Sequence, residues 1–105
     1  MPLQPPHLRA ATTDANPTTL FTVPPGYTSA EFTVTGVQGT DFISSKIHAL
    51  NAGANVFFNE YSFLSSGPDY ALFEVIPAAG AMILQVTVAN GIPAQFTIHS
   101  VAHKA

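Results

Sequence analysis

The chain contains no cysteine, so disulfides, thiolate metal sites and a cysteine nucleophile are excluded and stability has to come from packing. Charge is nearly as scarce. Lysine and arginine total three (Arg9, Lys46 and Lys104) and aspartate and glutamate six, so charged residues make up 9% of the chain, against roughly 25% in typical soluble domains. Three cations cannot track a phosphate backbone, which requires several for counterion release, so nucleic acid is not an expected partner. No window approaches the ~20 apolar residues of a membrane helix, and MPLQPPHLRAATTDANP holds no run long enough for a signal-peptide core. The expectation is synthesis in a cytoplasm, with no membrane partner.

What the chain does have is apolar residues, 47% of its 105 positions. That length fits one domain burying about 65% of its unfolded surface. With so few charges the surface has to be covered by Thr, Ser, Asn, Gln, Gly and some apolar side chains, and such a surface associates readily. Two readings follow: a small β-domain with a neutral surface, or a subunit whose outer faces are covered by copies of itself or by a partner.

Residues 18–37, TTLFTVPPGYTSAEFTVTGV, spell strand, rigid turn and strand. Leu20, Thr22 and Pro24 alternate with Phe21, Val23 and Pro25, and Phe32 and Val34 alternate with Thr33 and Thr35, the period of a sheet with unlike faces. Pro24 and Pro25 restrict φ, and Gly26 enters positive φ without steric cost. Turn signals then recur about every ten residues, the spacing of a sandwich or barrel. Strands are predicted over 28–38, 42–50, 56–64, 70–76, 82–89 and 94–101, with Ile43, Ser45, Ile47 and Ala49 on one parity of the second. Met82, Leu84, Val86 and Val88 form the cleanest alternation, which predicts a central strand. In the last, Phe96 and Ile98 point inward. The fold expected is therefore all-β, an antiparallel sandwich of about seven to eight strands, jelly-roll or immunoglobulin-like. Residues 1–17, with Pro2, Pro5, Pro6 and Pro17, resist helix and central strand alike and read as an extended N-terminal arm before a sandwich domain over 18–105. Leu3, Pro5, Pro6, Leu8 and Arg9 are its candidate partner-binding residues.

Catalytic chemistry is hard to assemble from these residues. Among His7, His48, His99 and His103 only the last two are close in sequence, and at i and i+4 of a strand they lie about 13 Å apart, too far for one ion. Asp14, Asp41 and Asp69 fall in loops or the arm, where they bond turn amides. Glu60 and Glu74 could in principle face a sugar-sized cleft as a hydrolase pair, yet nothing selects them. The Ser44-Ser45 and Ser65-Ser66 pairs lack a nucleophile elbow, and the glycines follow no phosphate-loop spacing. No enzymatic activity, cofactor or metal site is expected. The aromatics Phe57, Phe58, Tyr61, Phe63, Tyr70 and Phe73 read chiefly as core of one hairpin, with an outward platform for sugars or protein as the alternative.

The segment Thr19, Leu20, Phe21, Thr22, Val23, Pro24, Gly26, Tyr27, Thr28 and Ala30 resembles the T-x-L-[YF]-T-[VA]-P-x-G-[KY]-T-A block of small structural domains in tailed-bacteriophage virions, with Ser29 departing from the small apolar residue usual after that threonine. The resemblance covers about a fifth of the chain. It implies a non-enzymatic virion protein, most readily a trimeric capsid decoration (cement) subunit that binds the major capsid protein through its arm. The alternative is a receptor- or glycan-binding module of a tail fibre, using Tyr27, Tyr61 or Tyr70.

Overall fold

Alternation of apolar and polar residues sets each strand, and turn residues set its ends. The computed structural model describes the main chain of residues 7–11 together with residues 17–67, 70–88, 92 and 94–104. Among these are nine strands and no helix: β1 (His7–Ala11), β2 (Thr18–Val23), β3 (Ser29–Gln38), β4 (Asp41–Asn51), β5 (Val56–Glu60), β6 (Leu64–Ser65), β7 (Ala71–Ala78), β8 (Ala81–Val88) and β9 (Ala94–His103). They form two antiparallel sheets, the β-sandwich expected from the pattern. The larger has the order β1-β9-β3-β4-β5, with β6 also on β4, and the smaller has the order β2-β8-β7.

The hairpins owe their geometry to a few residues. Gly39 at φ +62° opens the two-residue turn that pairs Gln38 with Asp41, the glycine-first position of a type II′ turn. The β7–β8 turn uses Ala79 and Gly80, both at positive φ, between paired Ala78 and Ala81. The expected turn over 77–80 is therefore shorter than it reads, because Pro77 and Ala78 belong to β7. Proline is tolerated there because β7 is an edge strand. Strands β3, β4 and β5 follow one another, and β9 returns beside β3. That is the 4-1-2-3 order of a Greek key, with β7 and β8 placed ahead of the return strand.

The core lies between the sheets. Phe32, Val34, Ile43, Ile47, Phe96 and Ile98 of the large sheet meet Leu20, Val23, Phe73, Val75, Met82, Leu84 and Val86 of the small one, all buried. Each such side chain contributes about 1.5–3 kcal/mol relative to exposure. Phe73 and Phe96 pack edge to face across the two sheets with centroids 5.8 Å apart. Phe96 and Ile98 of β9 point inward as expected, the alternating parities read for β4 and β8 are observed with Ile43, Ser45, Ile47, Ala49, Met82, Leu84, Val86 and Val88 as the buried sides, and β8 is central in its sheet.

Two expectations change. Strict alternation fails in β2, where Leu20 and Val23 are both buried although three residues apart. The register against β8 shifts between Thr19 and Phe21, a bulge whose extra residue turns Leu20 and then Val23 to the core. The strand predicted over 56–64 is interrupted: β5 and β6 run along the same edge of β4, and residues 61–63 between them carry no strand geometry.

Candidate interaction surface

The aromatic cluster divides between the two sheets. Tyr70 and Phe73 are buried, Tyr70 to 2% exposure, whereas Phe57 is 60%, Phe58 42% and Tyr61 52% exposed, with Phe63 also open. The reading of these residues mainly as core is thus corrected, as is their placement in one hairpin: β5 pairs with β4 and β7 with β8. The physical reason is the unequal width of the sheets. Phe58 lies opposite the buried Ala49 and so shares the inner parity, but the three-stranded sheet stops at β7 and leaves β5 at its margin. No alternation rule reveals that margin.

Phe57 stands on the outer parity, opposite the exposed Leu50. Together with Phe58, His48, Ala49 and Asn59 these two residues line an open groove of about 180 Å³. A second open groove, about 390 Å³, lies further along β4 and is lined by Thr35, Phe42, Ile43, Ser44, Leu64, Ser65 and Ser66. Leu64 is 69% exposed there. Its hydroxyls are partly committed. Ser66 Oγ accepts from Phe42 N–H at 2.8 Å and Ser65 Oγ donates to Gly67 O at 2.6 Å. The two grooves follow β4 and the β5–β6 edge, so one border of the large sheet carries most of the exposed aromatic surface.

The polar candidates disperse. Glu60 accepts a hydrogen bond from the buried Ser45 hydroxyl. Glu74 sits in β7 between the buried Phe73 and Val75, which places it on the outer face of the small sheet opposite Gln85. The two glutamates therefore do not share a cleft. His99 and His103 occupy the outer parity of β9, and His48 joins them on that face, cross-strand from Glu31. Among the described residues no group of three or more His, Cys, Asp or Glu is placed to hold a metal ion.

Of the tyrosines proposed for ligand contact, Tyr61 is open, Tyr70 is core and Tyr27 is half-buried, with Lys104 Nζ 5.3 Å from its ring centroid. Of the arm candidates, Leu3, Pro5 and Pro6 lie outside the described residues. Leu8 and Arg9 belong to β1, whose main chain pairs with β9 of the same chain, Leu8 with Thr97 and Arg9 with Phe96.

No family model matches this sequence. No curated protein matches it either. Among solved structures, the chain is similar over 98% of its length to the Acinetobacter baumannii phage AM24 tailspike protein, with a TM-score of 0.60 and 6% identity. It spans about a quarter (26%) of that tailspike, and at this identity the likeness is one of fold: this β-sandwich is an arrangement that also occurs within a phage tailspike.

Proposed function

We propose that this chain is a non-enzymatic structural module of a tailed-bacteriophage virion, placed in the tail, which works by burying apolar surface against its neighbours. The observation that carries the reading is the likeness of almost the whole sandwich to part of a phage tailspike. The phage-like block around Pro24-Pro25-Gly26 and the exposed aromatic border along β5 and β6 support it. Contiguous exposed apolar surface of this kind marks contact sites.

A tail position is preferred to capsid decoration because decoration depends on the arm, through Leu3, Pro5, Pro6, Leu8 and Arg9. The tail reading needs none of those side chains. It also leaves a place for receptor or glycan contact, where Tyr61 and Phe57 are among the exposed rings and Tyr70 is not accessible. Immunogold electron microscopy of the virions that carry this chain tests the assignment. Label on the tail is expected. Label over the head returns the decoration reading, and virions without label overturn a virion role altogether.

A further inference from the structure

One edge of the large sheet runs along β5. Lys46 N–H donates to Ser62 O at 3.2 Å and Lys46 O accepts from Tyr61 N–H at 2.9 Å, whereas Asn51 N–H turns the other way, to Thr28 O at 2.8 Å. Successive residues of a strand direct their main-chain groups to opposite sides. Lys46, His48 and Leu50 therefore face β5, and so do their partners Phe57 and Asn59 back toward β4. The amides and carbonyls of Val56, Phe58 and Glu60 consequently face away from the sheet, and among the described residues no strand lies beyond β5, with β6 following it along the same edge of β4.

Exposed edges normally carry a guard: a charge, a proline or a bulge. The other edge strands each have one in sequence, register or length, namely Arg9 in β1, the bulge in β2, Pro77 in β7 and, in β6, a length of only two residues. β5 reads VFFNE and has neither proline nor cation, with no shift in its register. Its single charge, on Glu60, already accepts from Ser45.

From this contrast we infer that two copies of the chain associate through β5, antiparallel about a twofold axis at Phe58, joining their large sheets into one. In that register Phe58 meets Phe58, Val56 meets Glu60 and Phe57 meets Asn59, so no like charges face each other and all the outward main-chain groups of Val56, Phe58 and Glu60 find partners. A twofold pairing also closes, because it consumes the same edge on both copies. The surface is modest. Phe57 and Phe58 are each about half exposed, and with ~150–250 Å² per aromatic ring and the flanking main chain they fall short of the ~800 Å² per partner of a standard interface. The dimer is accordingly reversible and concentration-dependent. The inference rests on strand geometry and is independent of the tail assignment.

Sedimentation equilibrium of the full chain across roughly 10–500 μM reads it directly. A mass rising toward twice the 11.0 kDa of one chain is expected, as is a return to a single-chain mass in Phe58→Lys, which places two cations at the axis. A second variant bypasses any folding defect. The chain has no cysteine, and paired Cα atoms about 5.5 Å apart fall in the disulfide range, so oxidised Phe58→Cys is expected to give a covalent dimer, whereas Leu72→Cys, on the exposed outer face of the small sheet, is not. Monomeric behaviour throughout the range, a trimeric mass, or cross-linking no faster at position 58 than at position 72 overturns it.

Discussion

Asn51, the last residue of β4, donates from Nδ2 to the carbonyl of Gly80 in the β7–β8 turn at 2.9 Å, so a single side-chain amide joins the two sheets at one end of the sandwich. The same side chain accepts at Oδ1 from Gly53 N–H at 3.1 Å, which shapes the turn out of β4. Asn51→Ala is expected to cost about 1 kcal/mol, a fall in Tm of ~4–8 °C for a domain of this size. Asn51→Asp keeps the acceptor but has no donor for Gly80, and is expected to lose as much. Melting curves of both variants unchanged from the parent exclude the tie.

Gly36 is fitted to its place by absence of a side chain. A Cβ there would lie 2.9 Å from Ile43 Cγ1 and from Phe96 Cε1, and 3.0 Å from the Tyr70 hydroxyl. All three neighbours are buried, so none can swing out of the way. Gly36→Ala is expected to destabilise by about 1–3 kcal/mol through overpacking, measured as the urea midpoint at constant slope. An unaltered midpoint contradicts the packing described for this end of the core.

Ala79 is the one non-glycine residue with positive φ among those described, at +52°. The left-handed region costs a side chain with a Cβ roughly 1 kcal/mol, and asparagine tolerates it best while favouring the first position of a type I′ turn. Ala79→Asn is expected to stabilise the fold by about 0.5–1 kcal/mol. Thermal denaturation checks this, and a lowered Tm argues against a type I′ hairpin at this turn.

Ser100 has a buried hydroxyl with no hydrogen-bond partner among the described residues, in β9 opposite the buried Phe32. Burying a hydroxyl without a partner costs about 1–3 kcal/mol. Ser100→Ala is therefore expected to be neutral or stabilising. Ser45 is the contrast, because its equally buried hydroxyl donates to Glu60, and Ser45→Ala is expected to lose about 1 kcal/mol. Equal losses for the two variants in chemical denaturation would show that the hydroxyls do not differ.

Much of the fold was legible because alternation is a local property. Ile43, Ser45, Ile47 and Ala49 share one parity in the sequence pattern and are buried together in the structure, and the same holds for Met82, Leu84, Val86 and Val88. Leu20 and Val23 were not legible as a buried pair, because their bulge exists only against the register of β8. The surface was harder still. Phe57 and Phe58 carry the same composition signal as Phe73, and what separates exposed from buried is which sheet each strand joins. Glu60 and Glu74 could be paired on paper, but the faces they occupy follow from strand placement.

By itself, then, the sequence determined the class of fold, the positions of most strands and the alternating parities of β3, β4, β8 and β9, since the two-residue period and the turn residues act within a few positions of the chain. It also established how little charge the surface has to work with. Only the tertiary structure decided which strands are neighbours and that the smaller sheet has three of them. From that width follow the uncovered β5, the exposed aromatic border and the unguarded edge, because whether a side chain is buried depends on what lies across from it and not on the residue alone.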